Sequence, residues 1–486
     1  SHIYALCYTA TNSTLIPLNF SMLDWIKSRV SNAKKPGKPA RSGKTPAAEV
    51  IPPAQHGIPE QKISSNALRV IERLHEAGYD GHIVGGGVRD LLLGLRPKDF
   101  DIATNATPEQ VRQVFRHSRI IGRRFRIVHV LFGRDMIEVT TFRGHHSNAE
   151  NAKDGAVHDS GLLLRDNVYG SIEEDAIRRD FTVNALYYGV DRNVRDFCNG
   201  MRDIQQRQIH MIGDPETRYR EDPVRMLRAV RLAAKLDFTI EKNTATPIAK
   251  LAPLLNDISN ARLFDEMIKL FMGGSAVKTF DLMVQHQLFK TLFPGPARLL
   301  EPGNYSDRLI HQALTNTDDR IRRELHVTPA FLCAAILWPV LQQQQQHAEH
   351  EGLPAYQALQ KAAQKVISEQ VKRIGIPKRF TLPMQEIWEL QWQLTRRQGN
   401  RAERLLEHSR FRAAYDFLLL REQAGEDMQN LGQWWTDYQT ADPEQRLRMQ
   451  QGLNRDESQP RKNNRRRGGR NRSGVAASEK TKTEQD

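Results

Sequence analysis

Apolar and polar residues alternate along two neighbouring segments in the first half of the chain. Residues 123–133 (RRFRIVHVLFG) and 136–144 (MIEVTTFRG) both follow the period of two that half-buried strands show. Gly133, Arg134 and Asp135 join them and have the composition of a tight turn. We therefore expect two adjacent strands here.

Shorter patterns precede these strands. Residues 82–87 (HIVGGG) predict a strand followed by a turn, and residues 98–104 (KDFDIAT) predict a second strand. Thr107 can cap a helix over 108–116, with Gln110 completing a capping box. The first half therefore has the pattern of a small α/β domain.

Strand patterns end at about residue 205. Residues 221–236 are strongly helical, and amphipathic helical patterns recur to about residue 450. The predicted fold class is α+β, with a small mixed-sheet head, an elongated all-helical neck and body, and a disordered basic tail. The expected divisions are a flexible leader (1–55), a head (56–205), a helical neck (206–275), a helical body with an arginine-rich C-terminal domain (276–455) and the tail (456–486).

The charge of the chain favours a polyanionic partner. Its formal net charge is +14, and residues 461–472 (RKNNRRRGGRNR) hold seven basic side chains and no acidic one. Such a run binds phosphates without reading sequence, so Arg465, Arg466 and Arg467 are candidate RNA-binding residues. The alternative is a solvated tail without a partner.

Two other features of the sequence concern the environment of the protein. Cys7, Cys198 and Cys333 are far apart and form neither a disulfide framework nor a metal-ligand motif. This pattern predicts a cytoplasmic protein in which Cys198 and Cys333 are packing residues. No apolar run has the length needed to cross a bilayer.

Two carboxylates are candidate metal ligands. Asp99 and Asp101 lie two residues apart on a predicted strand, so both side chains point to the same face. Such a pair can hold Mg²⁺, with Mn²⁺ as a substitute, and the ion can bridge triphosphate oxygens. The same spacing is also common on protein surfaces.

A glycine-rich turn lies ahead of this pair. At Gly85, Gly86 and Gly87 the bare backbone can approach a triphosphate, and the following helix adds N–H groups with Arg89 as a nearby cation. The segment is not a P-loop, because it lacks the Gly-Lys-Ser/Thr ending. A phosphate turn followed by a metal-binding strand is the order that nucleotidyl transfer needs.

A third carboxylate would hold a second metal ion or take the proton of the attacking hydroxyl. Glu138 lies in the middle of the neighbouring strand and is the geometric candidate. The alternative is a solvent-facing strand glutamate.

Five segments together resemble one enzyme family. They are IVGGGVRDLLLG followed by KDFD (83–101), TFRG (141–144), EEDAIRRDFTVNALYY (173–188) and REDPVRMLRAVRLAAKL (220–236). In this order they resemble the class II nucleotidyltransferases of the polymerase-beta superfamily, which are tRNA CCA-adding enzymes and bacterial poly(A) polymerases.

The resemblance implies roles for particular residues. Asp99 and Asp101 would carry the metal ions, and the RRDF segment would place Arg178, Arg179 and Asp180 at the active site. Asp180 is often counted with the catalytic carboxylates of this family. The third carboxylate therefore remains open between Glu138, which geometry favours, and Asp180, which the resemblance favours.

The EDPVR segment would select the incoming nucleotide. Asp222 and Arg225 are three residues apart, on one face of the expected helix, and supply an acceptor and donors for a base edge. Arg228 and Arg231 continue that face at the same spacing. By periodicity alone the four residues could instead form a charged surface stripe.

Further segments resemble the poly(A) polymerases more than the CCA-adding enzymes. They are residues 120–130 (IIGRRFRIVHV), 144–146 (GHH), 163–176 (LLRDNVYGSIEEDA) and 396–421, and Arg123 and Arg124 of the first segment are candidate RNA contacts. The resemblance implies AMP transfer from ATP to RNA 3′ ends by a monomer, with RNA-decay proteins as candidate partners. The alternatives are a CCA-adding enzyme and a non-catalytic RNA-binding adaptor.

Overall fold

The computed structural model describes residues 47–122, 126–144, 155–157, 163–166 and 168–458. Two sets of predicted RNA contacts lie outside these residues: Arg123 and Arg124, and the tail arginines Arg465, Arg466 and Arg467. Most of the predicted leader and tail also lie outside them.

Twelve strands occur in the described part of the chain. They are β1 (Glu49–Ile51), β2 (Gly81–Val84), β3 (Asp101–Thr104), β4 (Ser118–Ile121), β5 (Ile127–Phe132), β6 (Asp135–Thr141), β7 (Gly155–Val157), β8 (Leu163–Asp166), β9 (Leu186–Gly189), β10 (Val194–Asp196), β11 (Gln208–Ile209) and β12 (Thr239–Ile240).

Eight of these strands form one sheet, in the order β1-β10-β9-β2-β3-β6-β5-β4. All neighbours in it are antiparallel except β3 and β6, which are parallel. The predicted pair of alternating strands is confirmed as the β5–β6 hairpin. The sheet is therefore mixed, as the sequence predicts.

The α-helices of the described residues surround and follow this sheet. They are α1 (Pro53–His56), α2 (Ser65–Glu76), α3 (Gly86–Leu92), α4 (Pro108–Val114), α5 (Ile172–Arg178), α6 (Gly200–Gln205), α7 (Pro215–Glu221), α8 (Val224–Leu236), α9 (Lys242–Ala245), α10 (Ile248–Leu251), α11 (Asn260–Phe271), α12 (Ala276–Gln285), α13 (Leu288–Leu292), α14 (Pro294–Ala297), α15 (Tyr305–Arg322), α16 (Pro329–His350), α17 (Ala355–Arg373), α18 (Lys378–Leu394), α19 (Arg401–Leu406), α20 (Phe411–Gln423), α21 (Leu431–Thr440) and α22 (Pro443–Ser458).

The local signals at helix starts are confirmed. The Thr107 side chain accepts the Gln110 N–H, and the Gln110 side chain accepts the Thr107 N–H, which is the predicted capping box. Because each bond satisfies an N–H that the first turn leaves unpaired, the helix begins at a defined residue. It ends at Val114, two residues before the predicted end.

Two short pairings differ from the sequence expectation. Residues 49–51 lie within the predicted leader, yet they form edge strand β1 against β10, with Ile51 buried. Strands also continue past residue 205, because β11 pairs with β12 in parallel. Segments of two or three residues are too short to show a periodicity, so only their pairing partners define them.

The buried apolar residues form three clusters. The largest runs from Ile51 in the sheet to Ala424 in the helices. A second, which includes Trp435 and Tyr438, lies among the last helices, and a third, which includes Phe142, covers part of the sheet. Burial of each large side chain contributes about 1.5–3 kcal/mol, so the sheet and the helices that follow stabilise each other.

None of the helices in the described residues combines the length and the apolar character needed to cross a membrane.

Candidate active site

Asp99 and Asp101 stand at the entry to strand β3. Both are exposed, while Phe100 between them is buried. This alternation places the two carboxylates on one face, as predicted. The strand itself begins at Asp101, so Asp99 precedes it instead of lying inside it.

Glu138 lies beside this pair because of the strand register. In the parallel β3–β6 ladder, Asp101 is the Cα partner of Glu138. Although part of the Asp101 side chain is exposed, the surrounding protein partly desolvates its carboxyl and raises its pKa; the charges of Glu138 and Asp99 raise the pKa further, while Arg179 lowers it. His129, across the β5–β6 ladder, brings Nε2 to 3.4 Å from Oε1 of Glu138.

These carboxylates fit a divalent cation in charge and donor type. Their oxygens are the hard ligands that Mg²⁺ prefers, and the pKa of Asp101 is raised by desolvation first and then by the charges of Glu138 and Asp99, which a bound cation would offset. In the described residues, however, no three carboxylate, histidine or cysteine side chains are arranged to hold a metal by themselves. A substrate triphosphate would therefore have to supply further ligands.

The glycine turn faces the same region. Gly85 has φ +71° and ψ −134°, a conformation that residues with a side chain rarely adopt, and helix α3 begins directly after it. A Cβ at Gly85 would lie 3.5 Å from Nη1 of Arg179. The turn therefore brings bare backbone next to a cation that also influences Asp101.

Arg89 lies under this turn, buried and hydrogen-bonded. Its Nε and Nη2 donate to Oδ1 of Asp90 at 2.8 and 2.5 Å, and its Nη1 donates to Oδ1 of Asn184 at 2.5 Å. Oδ2 of Asp90 also forms an ion pair with Nζ of Lys235, on helix α8, at 3.3 Å. Arg89, the cation predicted to contact phosphate, is thus part of a network of hydrogen bonds and ion pairs that links the Gly85 turn to helix α8.

Asp180 is buried and surrounded by donors. Its Oδ1 accepts the Phe181 N–H and the Asn184 side chain, and its Oδ2 accepts Nε of Arg228 at 2.6 Å. Burial alone would raise the pKa of Asp180, but the Arg228 charge and these hydrogen bonds bring it down to about 2. Unlike Glu138, Asp180 is not among the charges that act on Asp101.

The two arginines of the RRDF segment have different environments. Arg179 pairs with Asp175 at 3.0 Å, donates to the Tyr187 hydroxyl at 2.8 Å and covers the Tyr187 ring. Arg178 donates to the carbonyl of Gly144. The charge of Arg179 lowers the pKa of Asp101.

The structure corrects the predicted geometry of the EDPVR segment. Asp222 has φ −148° and lies in the break between α7 and α8, so it does not share a helical face with Arg225. Oδ2 of Asp222 accepts Nη2 of Arg262 at 2.7 Å, and Nη1 of Arg225 donates to Glu221 at 2.9 Å. Pro223 was the missed signal, because the residue before a proline avoids helical backbone.

Helix α8 also presents Arg231 towards Arg228. Within the described residues the Nε of Arg231 is buried without a hydrogen-bond partner. Burial and the Arg228 charge lower the pKa of Arg231. A partly buried cation in this state favours an anion nearby.

Sequence reasoning missed Asn184, which links two parts of the site. Its side-chain oxygen accepts a hydrogen bond from Arg89, and its side-chain nitrogen donates one to Asp180. One amide therefore orients both charged groups. The available signal was a polar residue inside the apolar stretch FTVNALYY. Buried amides in such stretches are usually hydrogen-bonded.

Comparison with known proteins places the chain in a family. The Poly A polymerase head domain matches residues 81–210, the probable RNA and SrmB-binding site of polymerase A matches 237–300, and the polymerase A arginine-rich C-terminus matches 351–471.

Known relatives agree with these matches. The poly(A) polymerase I of Salmonella typhimurium is 50% identical over 427 residues, which cover 86% of this chain and 92% of that enzyme. A CCA-adding enzyme of Lactobacillus gasseri is 37% identical, but over only 47% of this chain and 54% of its own length.

Solved structures share the fold. The apo form of a CCA-adding enzyme matches with a TM-score of 0.56 at 18% identity, over 80% of this chain and 85% of that one. Because the identity to poly(A) polymerase I extends through nearly the whole enzyme, whereas the CCA-adding match stops at about half, the chain belongs to the poly(A) polymerase family of template-independent nucleotidyltransferases.

Proposed function

We propose that this chain transfers AMP from ATP to RNA 3′ ends at the face formed by Asp99, Asp101 and Glu138, with release of pyrophosphate. The observation that supports this most is the register that sets Glu138 beside Asp101. The proposed site also includes the Gly85 turn, whose approach to Arg179 brings backbone and cation to the same face.

Asp99 and Asp101 would hold Mg²⁺, which activates the 3′-hydroxyl and neutralises the charge of the leaving pyrophosphate when bound. The chain's own contribution is to position the carboxylates. Glu138 is our choice for the third carboxylate, because Asp180 already accepts three hydrogen bonds, from Phe181, Asn184 and Nε of Arg228, and forms an ion pair with Arg228. We assign Asp180 a positioning role.

Cationic groups would bind the triphosphate. Arg179 faces the turn, and Arg231 is partly buried with an unsatisfied Nε, so phosphate oxygens would complete its hydrogen bonding. Gly85 and Gly86 would let the triphosphate approach the backbone. Arg89 would act through the turn that it supports.

Asp222, Arg225 and Arg228 would form the nucleotide pocket. Asp222 lies in the break between α7 and α8 and pairs with Arg262, and Arg225 lies in the first turn of α8 and pairs with Glu221. The edge of a base could replace one partner in each of these ion pairs, because carboxylate groups accept and guanidinium groups donate the hydrogen bonds that distinguish bases. Arg178 would lie at the edge of this pocket, where its guanidinium donates a hydrogen bond to the Gly144 carbonyl.

One incubation tests the assignment. The full chain is mixed with Mg²⁺, labelled ATP or CTP, and either an unstructured RNA or a tRNA lacking CCA. We expect a long adenylate tail on the unstructured RNA, and none with Asp99→Asn or Asp101→Asn, whose RNA affinity should be retained. C and A incorporation restricted to tRNA would instead identify a CCA-adding enzyme, and no incorporation would leave an RNA-binding adaptor.

The cellular setting is also part of the proposal. We expect a cytoplasmic monomer that takes part in RNA processing and decay, with RNA-decay proteins as partners. Cys198 and Cys333 are free thiols, and burial raises the pKa of each to about 12, which fits packing residues without a reactive role.

A further inference from the structure

Two consecutive arginines between helices α18 and α19 each stack on a tryptophan. The Cζ atom of Arg396 lies 4.5 Å from the ring centroid of Trp392, and that of Arg397 lies 4.8 Å from the ring centroid of Trp434. Stacked guanidinium and indole groups form flat faces that combine positive charge with a π surface.

Each pair continues into a second aromatic ring. Trp392 packs on Tyr356 with a centroid distance of 4.7 Å, and Trp434 stacks on Tyr438 at 4.6 Å with an interplanar angle of 13°. Two columns therefore begin at consecutive arginines, with Trp392, Trp434 and Tyr356 half-buried and Tyr438 fully buried. We call them together the arginine–tryptophan surface: Arg396, Trp392 and Tyr356 in one column, and Arg397, Trp434 and Tyr438 in the other.

The two arginines lack the partners that neighbouring arginines have. In the residues that the structure describes, neither guanidinium pairs with a carboxylate, and the Nε of Arg397 is buried without a hydrogen bond. Burial lowers the pKa of Arg397. By contrast, Arg410 pairs with Glu386, and Arg448 pairs with Glu444. Arg396 is exposed and Arg397 is half-buried, and two such cations stacked on aromatic rings without a carboxylate partner favour an anionic ligand that can also stack.

A cavity of about 280 Å³ opens beside Trp392. Trp338 and Trp388 also line it, together with the amides of Gln342 and Gln345. Its volume lies just below the range of about 300–1,000 Å³ for small-molecule sites. The side-chain N–H groups of Gln342 and Gln345 already donate to Glu426 and Glu349, and their carbonyl oxygens are acceptors suited to an adenine amino group. The stacked Arg396 and this cavity lie side by side, and together they suit successive bases of a single nucleic-acid strand.

We propose that the arginine–tryptophan surface is a second RNA site, which binds a single strand behind its 3′ end. Bases stack on the guanidinium planes of Arg396 and Arg397, because Trp392 and Trp434 already pack on tyrosines, and phosphates meet the N–H edges of the same two guanidinium groups. The inference rests on the proposed function only in taking RNA as the substrate. None of these residues belongs to the proposed catalytic face, so the site would hold the tail while its end is extended.

The test measures binding of oligo(A) to the full chain without ATP or divalent metal. The double variant Arg396→Gln/Arg397→Gln is compared with Arg410→Gln/Arg448→Gln, which removes the same charge from ion-paired positions on nearby elements. We expect the first variant to raise Kd about 10-fold and to reduce the slope of log Kd against log salt by about 1.4, the value for two lost phosphate contacts. In the control variant Arg410→Gln/Arg448→Gln, Kd and the salt slope should both change much less.

A third variant separates stacking from charge. Arg396→Lys/Arg397→Lys should keep the native salt slope yet still weaken binding, because an ammonium group lacks the planar face of guanidinium. Equal affinities for the first variant and the control would overturn the proposal and leave the surface to a protein partner. Because binding is measured without catalysis, this outcome is independent of whether the chain extends RNA.

Discussion

Oδ2 of Asp180 lies 2.5 Å from Nη2 of Arg228, and this ion pair joins the head to the first long helix of the remainder. Arg228 keeps 36% of its side chain exposed, whereas Asp180 keeps 10%. The carboxylate is thus the more buried partner, and its loss would leave Arg228 without its main acceptor.

We expect Asp180→Asn to lower the free energy of unfolding by about 2–4 kcal/mol, since breaking a buried pair leaves one charge uncompensated. The double variant Asp180→Asn/Arg228→Gln should cost less than the sum of the single changes. Urea unfolding of the four proteins measures this coupling. The exposed pair of Glu444 and Arg448 is the control and should couple by less than about 0.5 kcal/mol. Additive effects at Asp180 and Arg228 would contradict the prediction.

Glu138→Gln should reduce kcat/KM for RNA extension by roughly 100-fold, because the proposed third carboxylate is lost. The change also removes a charge that raises the pKa of Asp101. The acidic limb of the remaining activity should therefore move to lower pH. Steady-state rates across the acidic range give both results.

Glu72→Gln, on the exposed face of α2, is the control for removing a glutamate charge. An unchanged rate in Glu138→Gln, together with a large loss in Asp180→Asn at retained stability, would instead assign the third carboxylate to Asp180.

Gly85→Ala should raise the KM for ATP and lower stability, whereas Gly94→Ala should lower stability alone. Both glycines have positive φ, +71° and +73°, so alanine costs about 1–2 kcal/mol at either position. Only at Gly85 does the added Cβ approach Arg179, since no atom lies within 4 Å at Gly94. Urea unfolding measures the loss of stability, and the dependence of the rate on ATP concentration measures the change in KM. Equal KM changes would remove the turn from the site.

His82 should make the fold sensitive to mild acid. It is buried on β2 next to Phe142 and Tyr187, and burial and the Arg195 charge lower its pKa from 6.5 to about 4. The folded state therefore binds a proton less readily than the unfolded chain. Stability is fully present above pH 6.5 and falls by about 3 kcal/mol as the pH drops towards 4.

His82→Gln should flatten this part of the pH–stability curve, as measured by urea unfolding at successive pH values. The exposed His350 on α16 is the control, and His350→Gln should leave the curve unchanged. A curve for His82→Gln that still falls as steeply as the native one would locate the acid sensitivity elsewhere.

Local signals in the sequence predicted local structure well. The capping box at Thr107 and the hairpin of β5 and β6 depend on residues close in sequence, so spacing alone reveals them. The placement of Asp101 beside Glu138 needed one more assumption, that β3 and β6 are neighbours, which the structure confirms.

Long-range pairings could not be read in this way. The pairing of Asp180 with Arg228 and that of Arg89 with Asn184 join residues far apart in sequence, and neither leaves a periodic trace. Asp222 was assigned to a helical face because the following pattern is helical, although Pro223 interrupts it. Contacts of this kind depend on how the head meets α8, which no single segment encodes.

The β5–β6 turn has a consequence for how such enzymes can diverge. Only Gly133 and Arg134 separate the two strands, and Glu138 follows four residues after Arg134. Because side chains alternate between faces, one residue inserted between the turn and Glu138 would move its carboxylate to the buried side of the sheet. A substitution at Arg134 that keeps the length of the turn would leave Glu138 beside Asp101, whereas a one-residue change in length would remove Glu138 from the proposed catalytic face.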